Sequence, residues 1–154
     1  MSGVSLFFPG TRHPAPNPMA LQLDVITPER RLLSEQVDAV TVPGAGGELG
    51  ILPGHTPLIS ALQTGLLSYT QGVVTRRIMV SGGFVEVNAD RVSVLAVLAE
   101  FPEEVNTQTA RLEREEAERR LGTFTGPPEE LEAVRTELAR ATARLQLAAE
   151  NPAR

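Results

Sequence analysis

Four groups of residues in this chain have types and spacing that could do chemistry. Gly44-Ala45-Gly46-Gly47-Glu48-Leu49-Gly50 is glycine-rich and follows a strand-like run. Such a loop cradles a phosphate when it opens into a helix, whose N-terminal N–H groups meet the anion. Here it opens into Ile51-Leu52-Pro53-Gly54, which starts no helix. The glycines are therefore read as serving positive φ and close backbone contact. His55 lies in the rigid turn Pro53-Gly54-His55-Thr56-Pro57. A hydrolase built on it would need a serine nucleophile, a carboxylate and an oxyanion hole. Ser60 and Glu48 lie nearby without a nucleophile elbow, so His55 reads as a structural or interface residue. Arg76-Arg77 is a basic pair, but neighbouring strand residues face opposite ways and make no single anion clamp. Arg135, Arg140 and Arg144 read either as part of a solvated helix face or as a basic strip for an acidic partner.

Composition removes most other chemistries. The 154 residues contain no cysteine, which excludes disulfides, thiol catalysis and cysteine-bound zinc or iron–sulfur sites. All 14 cations are arginine, so there is no P-loop lysine and no Schiff-base lysine. Two histidines are few for a metal site, and neither metal nor cofactor is expected. A formal charge of −5 argues against a nucleic-acid partner. No apolar run approaches the roughly 20 residues that span a bilayer.

The elements that would position these residues fall into zones. Residues 1–18 hold four prolines and two glycines and read as a disordered extension. Met19, directly before the first strand-like run, is an alternative start that would leave them untranslated. Residues 19–101 carry eight acids and five arginines, and residues 102–154 carry eleven and eight. The boundary is placed where this density changes, at Pro102.

Residues 19–101 read as an antiparallel β-sandwich. Leu21, Leu23 and Val25 alternate with polar neighbours. Leu32 to Val42 reads as one further strand. Leu66–Thr70 and Val73–Val80 flank a Gln71-Gly72 turn, and Phe84–Val87 and Arg91–Leu98 flank Asn88-Ala89-Asp90. Val92, Val94, Ala96 and Leu98 share one face of the last strand, with Leu95 and Val97 on the other, so both faces are expected to be buried. Residues 102–154 read as an antiparallel two-helix hairpin. Leu131, Val134, Leu138, Ala141, Leu145 and Ala148 give the second helix one apolar seam. The first, about Glu103 to Leu121, has apolar points at Val105, Leu112, Ala117 and Leu121, while ten of its nineteen residues are charged. Helices this polar need the sandwich or a partner against their seam, and a marginally docked hairpin is a candidate moving part.

Three segments together are familiar. Leu21–Ser60 contains GELGILPGHTPL, Val80–Ala96 contains SGGFVEV, and a charged helical hairpin ends the chain. The chain closely resembles the epsilon subunit of bacterial F-type ATP synthase, over about Ala20 to Leu147. The resemblance implies a non-catalytic subunit of the central rotor stalk. It implies binding to the gamma subunit and to the c-ring, whose proton-driven rotation is coupled to ATP synthesis, at the cytoplasmic face of the inner membrane. Glu48 resembles the residue facing the polar loops of the c-ring, and His55 a residue at the same rotor end. Arg135, Arg140 and Arg144 resemble the basic residues that meet an acidic segment of the beta subunit, in the alpha/beta catalytic head, when the hairpin extends and inhibits hydrolysis. Some members bind ATP through an Ile/Leu-Asp-x-x-Arg-Ala motif. Here Asn106 replaces the aspartate and Thr109 the arginine, so weak or no ATP binding is expected. The alternative is a free-standing β-sandwich module that binds protein and has no catalytic activity.

Overall fold

The computed structural model describes residues 20–150. The expected extension over residues 1–18 lies outside them. Eight strands come first: β1 Leu21–Ile26, β2 Arg31–Val37, β3 Ala39–Gly44, β4 Gly47–Ile51, β5 Leu58–Ala61, β6 Gly65–Gln71, β7 Val74–Asn88 and β8 Arg91–Glu100. A 3₁₀ turn, Pro102–Glu104, leads to helices α1, Thr107–Gly122, and α2, Pro128–Ala149.

The strands form one sheet in the order β2-β1-β8-β7-β6-β3-β4, with β5 paired to β7. The sheet folds over a single apolar core, bringing β2 against β6. This is the expected sandwich, with one exception to its antiparallel pairing: β1 runs parallel to β8. Leu21, Leu23 and Val25 are fully buried, as period two requires.

Several local readings change. The run Leu32–Val42 is split at Asp38, whose N–H donates to the Thr70 carbonyl and whose carboxylate accepts from Gly72 N–H. The glycine-rich segment is mostly strand, not loop. β3 and β4 form a hairpin around Ala45-Gly46, with Gly47 at φ +121°. Its polarity hid the strand, because β4 lies at the sheet's end and only Ile51 within it is buried. The short strand β5 was also missed.

Val74 to Asn88 is continuous rather than two strands. Ser81↔Leu98 and Gly83↔Ala96 pair, but Gly82 and Val97 do not. At that point the inward-facing parity changes in both strands. Val80 and Ala99 point into the core on one side, and Val85 and Ala96 on the other. Gly82 and Gly83 allow this with φ of +73° and +91°. The kink leaves Val97 56% exposed and Leu95 half-buried, so β8 is not buried on both faces.

The hairpin packs on the outer face of β6 and β7. Met79, Val105, Ala143 and Leu147 are buried together, with Leu66, Leu98 and Ala148 beside them. The seam was half legible: Val134 and Ala141 are buried, but Ala143 and Leu147, which touch the sandwich, lie off it. α1 starts later than expected. Val105 is buried ahead of it, Asn106 is its N-cap, and Leu112 is 60% exposed.

Candidate subunit contacts

Glu48 is the second residue of β4, opposite Pro43. The alternation that turns Ile51 inward leaves Glu48 exposed, and among the described residues its side chain has no hydrogen bond or ion pair. An exposed carboxylate at a tight hairpin is available to a cationic surface. His55 follows the far end of β4, in a turn closed by its N–H donating to the Leu52 carbonyl at 3.1 Å. Gly54 N–H donates to Asp90 Oδ1 at 2.8 Å, which ties this turn to the β7–β8 turn. The half-buried His55 ring donates from Nδ1 to the Thr56 carbonyl at 2.6 Å, leaving Nε2 as its other polar atom. Ser60 donates to the Ala61 carbonyl, and among the described residues no serine–histidine hydrogen bond is formed, so the hydrolase reading has no geometry there. Nor does any hydrogen bond join Glu48 to His55.

The three arginines of α2 do not make one strip. At about 100° per residue, Arg140 and Arg144 share a face, and Arg135 lies about 140° around the helix from Arg140. Arg135 is exposed and pairs with Glu132 at 2.9 Å. Arg140 and Arg144 turn inward. Arg140 Nε donates to Ser81 Oγ at 2.8 Å, and Ser81 is fully buried on β7. Ser81 in turn shares a hydrogen bond of 2.7 Å with Thr64. Arg144 grips Glu100 of β8 with two bonds, Nε to Oε1 at 2.8 Å and Nη2 to Oε2 at 3.2 Å. Its Nη1 reaches Glu113 of α1 at 3.3 Å. The Glu100 hydrogen bonds raise the Arg144 pKa above its ordinary value, against the opposing effect of burial.

Two further ties were not read from the sequence. Arg77 of β7 meets Glu150, just past α2, at 3.3 Å. Arg30, in the β1–β2 turn, donates to Glu104 at 2.8 Å, and Phe101 N–H donates to the same carboxylate. These bonds, Arg30's first, hold the Glu104 carboxyl below its ordinary range. Partners 74 residues apart carry no local sequence signal. Asn106 accepts from Thr109 N–H at 3.0 Å, so the two residues that depart from the nucleotide motif form a helix cap.

Residues 20–102 match the family model described as ATP synthase, Delta/Epsilon chain, beta-sandwich domain. The ATP synthase epsilon chain of Syntrophobacter fumaroxidans is 42% identical over 128 residues, 83% of this chain and 95% of the relative. The chain belongs to the ATP synthase epsilon family. That of Solibacter usitatus is 50% identical over 102 residues, 66% of this chain and 76% of the relative. The 128-residue match is longer than the whole stretch 1–102, so the epsilon likeness extends into the hairpin. A chain in the structure of the Euglena gracilis mitochondrial ATP synthase OSCP/F1/c-ring covers all of this chain and 96% of its own length, with TM-score 0.71 and 22% identity. One from the central stalk and c-ring of the Tetrahymena thermophila enzyme covers 83% of this chain, with TM-score 0.59 and 14% identity. Both share the fold. No helix among the described residues is long and apolar enough to cross a membrane.

Proposed function

We propose that this epsilon chain is a non-catalytic coupling subunit of the rotor stalk, with a hairpin that regulates ATP hydrolysis. The sandwich binds gamma and seats on the c-ring, carrying proton-driven rotation toward the alpha/beta head. It stays peripheral, on the cytoplasmic face of the inner membrane. The observation that carries this reading is epsilon-family membership across both modules.

Glu48 faces the c-ring loops in this reading, with His55 nearby at the same rotor end. The free carboxylate of Glu48 supports the assignment, because a rim contact with arginine-bearing loops needs an unpaired charge. The hairpin acts on the head through Arg135, Arg140 and Arg144. Arg135 is exposed in the docked state, whereas Arg140 and Arg144 reach an acidic partner only when α2 leaves the sandwich. Such a change is an equilibrium, shifted by whichever partner binds one state better. ATP is at most a weak ligand, since Thr109 lacks the fork of donors that grips phosphate. Titration calorimetry should find no micromolar binding.

The deciding experiment is ATP hydrolysis by a reconstituted head–gamma complex. The full chain is compared with one ending at Phe101. Faster hydrolysis with the shorter chain, both being bound, makes the hairpin a brake. Equal rates remove the regulatory part of the reading, and failure of both chains to bind removes the stalk assignment.

A further inference from the structure

The hairpin stands on a small foot. Four buried side chains form its apolar contact with the sandwich, and two of them come from α2. So few buried side chains give the docked hairpin only a modest apolar driving force. The polar contacts around it therefore decide how long it stays. Arg144 and Glu100 are the most enclosed ion pair among them, with side chains 19% and 21% exposed. The Arg144 guanidinium joins three elements: α2, which carries it, β8 through Glu100, and α1 through Glu113. Opening the hairpin from the sandwich breaks the first pair, and splaying the helices breaks the second.

We propose that Glu100, Arg144 and Glu113 form an internal latch, in which carboxylates of the chain itself hold the hairpin docked without a bound nucleotide. This deepens the two-state reading given above and rests on it. Its new content is competition. Glu100 occupies the guanidinium that an acidic segment of the head would need, so the latched chain cannot use Arg144 outside itself. The strength of inhibition is then set in part by a sandwich residue that never touches the head. The bidentate geometry matters here, because a lysine or a single-donor residue would not match both Glu100 oxygens.

The test uses the full chain. Glu86 and Gln146 are both exposed and outside the latch, and the native chain has no cysteine. Spin labels on Glu86→Cys and Gln146→Cys report the sandwich-to-α2 distance by pulsed electron resonance. Glu100→Gln keeps the size of the side chain and removes its charge. It should lower the docked-to-open ratio about tenfold, because it strands a partly buried guanidinium. Arg144→Gln should do the same, and the double variant should cost little more than either alone. Arg119→Gln, outside the latch and in an ion pair with Glu116 of its own helix, should leave the ratio unchanged. An unchanged ratio in Glu100→Gln, or additive effects in the double variant, overturns the latch. The same variants are then assayed for inhibition of the head–gamma complex, where Glu100→Gln should inhibit more strongly than the native chain. A shifted ratio with unchanged hydrolysis upholds the latch and overturns the brake.

Discussion

Gly83 shows how much a single position can decide. A Cβ there would lie 1.9 Å from the Leu95 carbonyl oxygen, at a φ of +91° that L side chains rarely adopt. Both faults must be relieved by moving β7 away from β8, at the kink that reverses which residues face the core. Gly83→Ala is expected to cost about 3 kcal/mol or more in urea unfolding, near the top of the range for single substitutions. Asn106 is a milder case. Its side chain satisfies the Thr109 N–H at the start of α1, and Asn106→Ala should cost about 1 kcal/mol of helix stability. Glu104 gives a pH dependence with a definite sign. Its folded pKa is depressed, chiefly by the hydrogen bond from Arg30. Its stabilisation is therefore full above the unfolded glutamate value of about 4.3 and is lost as pH falls through the lower folded value. Amide exchange at Phe101, whose N–H the same carboxylate holds, should quicken in that acid window, and Glu104→Gln should flatten the response.

At the scale of elements, the two modules carry separate apolar clusters. Leu147 is 1% exposed and sits in the foot of α2. Truncating a fully buried leucine ordinarily costs about 2–5 kcal/mol. Here the loss is capped by the free energy of docking, because the helix can leave the sandwich instead. Leu147→Ala should raise hydrogen exchange throughout α2 and leave β1 and β8 protected. Uniformly faster exchange would mean that the modules unfold as one. The sequence reveals the elements better than their contacts. Alternation in β1 and the turns after β6 and β7 could be read directly, since each is set by residues within the element. The strand β4 could not, because a polar strand at the end of a sheet lacks the alternation that burial imposes. Leu147 escaped for another reason. It lies off the seam by which α2 meets α1, and a helix packed on two neighbours needs two stripes. Arg140 and Arg144 could be recognised as charged groups, but their partners Ser81 and Glu100 are 59 and 44 residues away.

Across the whole molecule, the sandwich has a core of its own that does not draw on the hairpin. The 20 buried residues of its core share no member with the cluster under α2, and Phe101 packs on the sandwich side of the junction. A chain ending at Phe101 should therefore melt cooperatively, within several degrees of the full chain by circular dichroism. It should also show what the hairpin hides. Met79 becomes exposed on the outer face, beside Leu66 and Leu98, where β7 and β8 already leave Phe84 43% and Val97 56% open. Newly exposed apolar surface of this kind favours association. Sedimentation of the shortened chain should show concentration-dependent self-association that the full chain lacks, and Met79→Ser should reduce it. Loss of the cooperative melt would mean that the hairpin is needed for the sandwich to fold. Docking would then be part of the fold, and no regulated opening of the native chain could leave the stalk contact intact.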